Sequence, residues 1–160
     1  MKRARGVGIR VGILCLGVAA LAGGCGGSGG GSTTISSQPL SGMIDGQPWT
    51  FMTGETNSSL STASQYWVDA YAESFTPCTG YPSSTADELL LSLPTAVGSY
   101  PLSPEFTQTF YIAATNDNLG ASSGQIDVTA VTATTITGGA RFAYDANNSV
   151  DGQFEVTICP

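Results

Sequence analysis

From residue 39 to residue 160, apolar and polar side chains alternate with a period of two, and turn residues interrupt the pattern at short intervals. That pattern predicts half-buried strands rather than helices. Gly42–Asp45 and Pro48–Gly54 come first, divided by the turn signal Asp45-Gly46, with Trp49 and Phe51 pointing one way and Thr50 and Met52 the other. In Tyr66–Glu73, Val68, Ala70 and Ala72 share one face, and Trp67, Asp69, Tyr71 and Glu73 share the opposite one. Glu88–Leu93 is a short apolar run ended by Pro94, Tyr100–Ser103 is extended between two prolines, and Thr107–Thr115 sets Phe110 and Ile112 against Tyr111. Gly124–Thr132 places Ile126, Val128 and Ala130 on one side. Thr135–Asp145 aligns Ile136, Ala140, Phe142 and Tyr144, with Gly138-Gly139 marking a bulge or bend. Gln153–Cys159 turns Phe154, Val156 and Ile158 inward, and the turn-rich connection Ala146–Gly152 makes the last two strands a hairpin. One short helical turn is expected at Ser84–Leu91, where Ser84 caps and Asp87 and Glu88 suit the positive end of the dipole. The expected fold class is all-β, an antiparallel β-sandwich or small closed β-barrel of about eight strands with at most one short helix.

The segment before residue 39 follows other rules. Lys2, Arg3, Arg5 and Arg10 make a basic start, and the apolar stretch Val11–Leu21 is too short to span a bilayer, so residues 1–24 read as a secretory signal peptide. Its close, Leu21-Ala22-Gly23-Gly24-Cys25, resembles a bacterial lipobox, although Ala22 stands where leucine is preferred. Such a signal implies cleavage before Cys25 and acylation of its thiol, a lipid anchor firmer than a single myristoyl chain. Cleavage by ordinary signal peptidase, with Cys25 as a plain thiol, is the alternative. Residues 26–38, GGSGGGSTTISSQ, form a Gly/Ser-rich tether with a random-coil span on the order of 20 Å. A single β-domain, residues 39–160, follows.

Removing the signal changes the charge. Beyond Cys25 the chain has one base, Arg141, against twelve acids, a formal charge of −11, and contains neither histidine nor lysine. Such a surface repels phosphate backbones, which excludes nucleic acid as a partner. Without histidine or lysine, no Ser-His-Asp, Cys-His, Ser-Lys or Schiff-base site can be assembled, and imidazole-dependent zinc sites are excluded as well. Carboxylate chemistry remains. Asp87 and Glu88 are adjacent, but adjacent strand residues face opposite ways and make poor acid/base partners.

Four cysteines sort by compartment: Cys15 leaves with the signal, Cys25 takes lipid, and Cys78 and Cys159 are expected to form a disulfide in an exported protein. No other cofactor is expected. Calcium is the one metal considered, at Asp145, Asn147, Ser149 and Asp151, whose oxygens recur at alternate positions. Those residue types are equally what hairpin loops use. Arg141 pairs across strands with a carboxylate, or anchors an anionic ligand at a barrel mouth. Trp49 and Trp67, with Tyr66, Tyr71 and Tyr111, line a sugar or peptide groove or belong to the core and to cross-strand pairs.

The domain resembles small bacterial lipoproteins of unknown function. The resemblance rests on G-x-I-D-G-x-x-W (Gly42 to Trp49), on Leu91, Pro94, Gly98, Tyr100 and Leu102, and on a closing segment from Gly124 to Val156. It implies fold and location, and no catalytic residues. The expectation is an exported, monomeric, non-enzymatic β-domain held by lipid at the cell envelope, with the outer membrane favoured because Gly26 follows the cysteine. A lipocalin-like small-ligand barrel is the alternative, and a carboxylate-dependent hydrolase the weaker one.

Overall fold

The computed structural model describes residues 34–80, 82 and 85–160. The signal segment 1–24, Cys25, tether residues 26–33 and the Ser84 cap lie outside the described residues. Eleven strands run in order: β1 Ser41–Ile44, β2 Gln47–Thr50, β3 Thr53–Thr56, β4 Gln65–Tyr71, β5 Glu88–Pro94, β6 Gly98–Pro101, β7 Gln108–Ile112, β8 Asp117–Gly120, β9 Ser123–Val131, β10 Thr135–Asp145 and β11 Asn148–Thr157. The all-β class holds, and no helix is present among the described residues.

Two antiparallel meanders make the sheet. One is β6-β9-β10-β11, with the β1–β2 hairpin on the far edge of β11, and the other is β3-β4-β5-β7-β8. A parallel seam joins them at the single register pair Thr157↔Glu55. The sheet curls strongly into an open half-barrel whose path ends at β6 and β8. The expected closed barrel of about eight strands is therefore corrected: the described residues form eleven strands, and their sheet does not close. Two differences account for the count, and a third lengthens a strand. The run Pro48–Gly54 breaks at Phe51 and Met52 as the chain leaves the β1–β2 hairpin for the other meander. Asp117–Gly120, which the sequence pattern does not mark as a strand, pairs with β7 behind a left-handed Asn116. The third is the start of β11: its first five residues, Asn148–Gly152, fall inside the stretch that reads as a loop.

The expected helical turn at Ser84–Leu91 is corrected as well. Glu88–Leu91 form the start of β5, where Leu89 and Leu91 are fully buried and pair with β4 and β7 on either side. Alternating apolar residues with strand partners on both flanks override a lone capping signal. Asp45 and Gly46 both have positive φ, as the two-residue turn between β1 and β2 requires.

One core fills the curl. Val68, Ala70, Leu89, Leu91, Phe110 and Ile112 from one meander meet Ile126, Val128, Ile136, Phe142, Phe154 and Val156 from the other. At Gly138 the register with β9 shifts, leaving Thr129 as the extra residue of a bulge beside the Gly-Gly pair. A second irregularity between Ala143 and Asp145 turns Tyr144 out of the line Ile136–Ala140–Phe142. Tyr144 is 46% exposed and not part of the core.

Candidate functional site

The face of β4, β5 and β7 opposite the core holds the strongest candidate. Alternation places Asp69 and Tyr71 of β4, Glu88 of β5 and Tyr111 of β7 on that face. Glu88 is the direct cross-strand partner of both Tyr71 and Tyr111, so the three form one row, with Asp69 diagonal to Glu88. Residues 72–87 connect β4 to β5, and Pro82, Thr85 and Ala86 of this connection form a wall over the row. Between wall and row lies an open cleft of about 450 Å³.

Two attachments hold the wall. Asp87 Oδ1 accepts from the Ala113 amide at 2.9 Å, and the Asp87 carbonyl accepts from the Trp49 indole at 3.2 Å. At the other end, the Cys78–Cys159 disulfide ties the connection to the C-terminus. Glu55, only 5% exposed, accepts from the Cys78 amide and lies 3.7 Å from Cys159 Sγ, while the Cys159 amide donates to Thr56 Oγ1 at 2.8 Å. The disulfide therefore stands on the β11–β3 seam. Among the described residues, Glu55, Cys78 and Cys159 form a grouping of metal-type side chains. Their two sulfurs are bonded to each other, which removes the thiolates a metal would take.

Glu88 carries a resolved electrostatic perturbation. Burial is the largest cause and pushes its carboxyl above the ordinary value of 4.5; the Tyr71 hydrogen bond opposes this, and the neighbouring Asp69 charge adds to it. A carboxyl raised on folding binds more protons in the folded chain than in the unfolded one. Its contribution to stability is therefore present below 4.5 and is lost as pH rises through the raised value. Glu88→Gln is expected to flatten that fall and to raise the melting temperature near neutral pH relative to the parent. Paired thermal melts from pH 4 to pH 8, on the order of the carboxylate range and beyond it, check this. A variant whose curve runs parallel to the parent's would contradict it.

The other sequence candidates fall elsewhere. Trp49 is 5% exposed in the core, with its indole serving the Asp87 carbonyl. Trp67 is half-buried on the cleft's side of β4 but does not line the cleft. Arg141 is the register partner of Asp151 and pairs with it at 3.8 Å, each side chain more than a third exposed. This is a contact worth roughly a few tenths of a kcal/mol. The barrel mouth in which Arg141 would meet a ligand is absent, because the sheet does not close.

The four calcium candidates do not share a loop. Only Ala146 and Asn147 make the turn, and Asp145 Oδ1 accepts from the Asn147 amide and from Asn148 Nδ2, both at 2.9 Å. Ser149 and Asp151 lie inside β11, flanked by β10 on one side and β1 on the other. Asp151 Oδ1 also accepts from the Ser36 amide at 2.8 Å. That contact belongs to a strap. Residues 34–38, the end of the expected tether, lie on the domain, with Gln153 Nε2 donating to the Ser36 carbonyl at 2.6 Å and Gln153 N to the Gln38 carbonyl at 2.8 Å. Gly152, at φ +149°, admits the strap, since a Cβ there would stand 2.5 Å from the Pro39 carbonyl.

No protein-family model, curated protein or solved structure matches this chain. The cleft is therefore read from its own chemistry. Of its two described carboxylates and two described tyrosines, the alternation of Tyr66–Glu73 already aligns Asp69 with Tyr71, and Tyr111 already faces away from the core. What sequence reasoning lacked was that Pro82, Thr85 and Ala86 come to lie against this face, on which Asp69 is only 6% exposed.

Proposed function

We propose that this protein is an exported, lipid-anchored β-domain of the bacterial cell envelope, favouring the outer membrane, that works by binding and not by catalysis. The observation that carries the binding half is the cleft: two carboxylates and two tyrosines converge in a space of small-ligand size beside a rigid sheet. Residues beyond Cys25 contain no histidine and no lysine, so the described residues of the cleft offer carboxylates, hydroxyls and rings but no imidazole or amine base. Export is supported by the Cys78–Cys159 disulfide, a bond that persists in oxidising compartments. Anchoring is supported by the lipobox-like approach to Cys25.

The anchor is tested by expressing the full chain in bacteria with radiolabelled palmitate and separating membrane from soluble fractions. The parent is expected to carry label and sediment with membranes, and Cys25→Ser to lose the label and move to the soluble fraction. An unlabelled parent, or a labelled Cys25→Ser variant, would refute lipidation at this residue.

A carboxylate-dependent hydrolase is the second reading, favoured by Glu88 with its raised carboxyl standing diagonal to Asp69, the kind of unequal pair that supplies an acid and a base. Turnover of aryl glycosides by the parent, abolished in Glu88→Gln, would replace the binding reading with this one.

A further inference from the structure

We infer that the cleft takes a small organic cation, an alkylammonium group held between the Asp69 and Glu88 carboxylates and packed against the rings of Tyr71 and Tyr111. This rests on the reading of the cleft as a binding site and goes further by naming the chemistry of its ligand.

Charge gives the sign. Asp69 and Glu88 are diagonal neighbours on paired strands and both line the cleft, and among the described residues no basic side chain lines it. The one base beyond Cys25, Arg141, pairs with Asp151 on β11. Two like charges brought together on a half-buried face repel each other, and a cation between them turns that repulsion into attraction. An anionic ligand meets the same two charges as a barrier, and the net charge of −11 beyond Cys25 raises the local concentration of cations around the whole domain.

The rings decide between an organic cation and a metal ion. Tyr71 and Tyr111 flank Glu88 from the two neighbouring strands, an arrangement that sets an aromatic side chain on each side of the carboxylate. Ring faces attract ammonium groups and add nothing to the coordination of a hard metal ion. Both rings are held in place without a ligand: the Tyr111 hydroxyl donates to Asn116 Oδ1 at 3.0 Å, and Tyr71 bonds Glu88 and stands edge-on to Phe75 with centroids 5.3 Å apart. Such pre-organisation lowers the ordering cost of binding. Size agrees. A space of about 450 Å³ suits a small molecule, whereas calcium needs about six to eight oxygens drawn tightly around it.

Isothermal titration of the purified full-length product in non-ionic detergent tests this, with choline as the probe and 3,3-dimethylbutan-1-ol as its uncharged counterpart of the same shape. Choline is expected to bind one site per chain, about tenfold or more tighter than the alcohol. Glu88→Gln and Asp69→Asn are each expected to weaken choline about fivefold or more, and Tyr111→Leu about threefold. Circular dichroism checks that each variant is folded, and the comparison of the two probes on the parent needs no variant at all. Equal affinity for choline and the alcohol overturns the inference, as does displacement of choline by calcium at a stoichiometry of one. Silence toward both probes, in a protein that still carries palmitate on Cys25, overturns the ligand assignment and leaves the anchored module standing. Choline binding in a protein without palmitate does the reverse.

Discussion

Replacing Cys78 and Cys159 together by serine is expected to lower the stability of the domain by about 4.5 kcal/mol and its melting temperature on the order of 15 °C. The first figure comes from the separation of 81 residues between the two cysteines, which sets the conformational freedom the unfolded chain regains when the link is cut. Where the bond stands gives the loss a structural meaning. The two meanders share a single parallel register pair, Thr157↔Glu55, and Cys159 follows Thr157 by two residues. Without the bond, the amide of Cys159 on Thr56 Oγ1 and the amide of Cys78 on Glu55 are left to hold the seam. Glu55 is a nearly buried carboxylate, and a loosened seam admits water to it, which favours opening further. Thermal melts of parent and double variant, with intact mass measured without reduction to establish the bond in the parent, make the comparison. A drop of less than about 1 kcal/mol would show that the seam is held by packing alone.

Much of the sheet was legible because alternation reports burial directly. Val68 with Ala70, Phe110 with Ile112, Ile126 with Val128, and Phe154 with Val156 are all core pairs in the structure. The failures have a shared cause: local pattern says nothing about what crosses over it. Asp151 and Ser149 are loop-forming types by composition, yet β1 and β10 pair with them on both sides, and hydrogen-bonded neighbours outweigh a residue's turn preference. Tyr144 keeps the right parity for the core and is turned out by one extra residue before the hairpin. The closed barrel failed for a topological reason. Nothing in the pattern of single strands states whether the first and last members of a sheet meet, and here β6 and β8 do not.

The candidate site was legible in half. Tyr71 and Asp69 fall on one face of Tyr66–Glu73 by simple alternation, and Tyr111 falls opposite Phe110. In the sequence Glu88 stands beside Asp87, but its partners in the fold are Tyr71 and Tyr111 on other strands. Asp87 itself serves the wall, through Ala113 and Trp49. Register between distant strands is a tertiary fact, and it alone sets the two tyrosines on either side of one carboxylate.

Phe142→Ala is expected to destabilise the domain by about 3–5 kcal/mol, against a total of about 5–15 kcal/mol for a domain of ordinary stability. Phe142 on β10 and Phe110 on β7 are both essentially buried, and their rings meet with centroids 5.2 Å apart at 52°. The strands that carry them belong to different meanders and share no hydrogen-bonded pair, so this contact joins the two arms of the curl by packing alone. Truncation removes the buried ring and leaves a cavity that a rigid sheet on each side cannot collapse to fill. The pair also holds an aromatic contribution of about 0.5–1.5 kcal/mol, which a double-mutant cycle with Phe110→Leu and Phe142→Leu isolates. Denaturant titrations supply both measurements, with the slope expected to stay constant because the surface exposed on unfolding hardly changes. A coupling near zero between the two leucine variants would mean that the arms cohere through the surrounding aliphatic side chains, and that the ring pair is incidental to the curl.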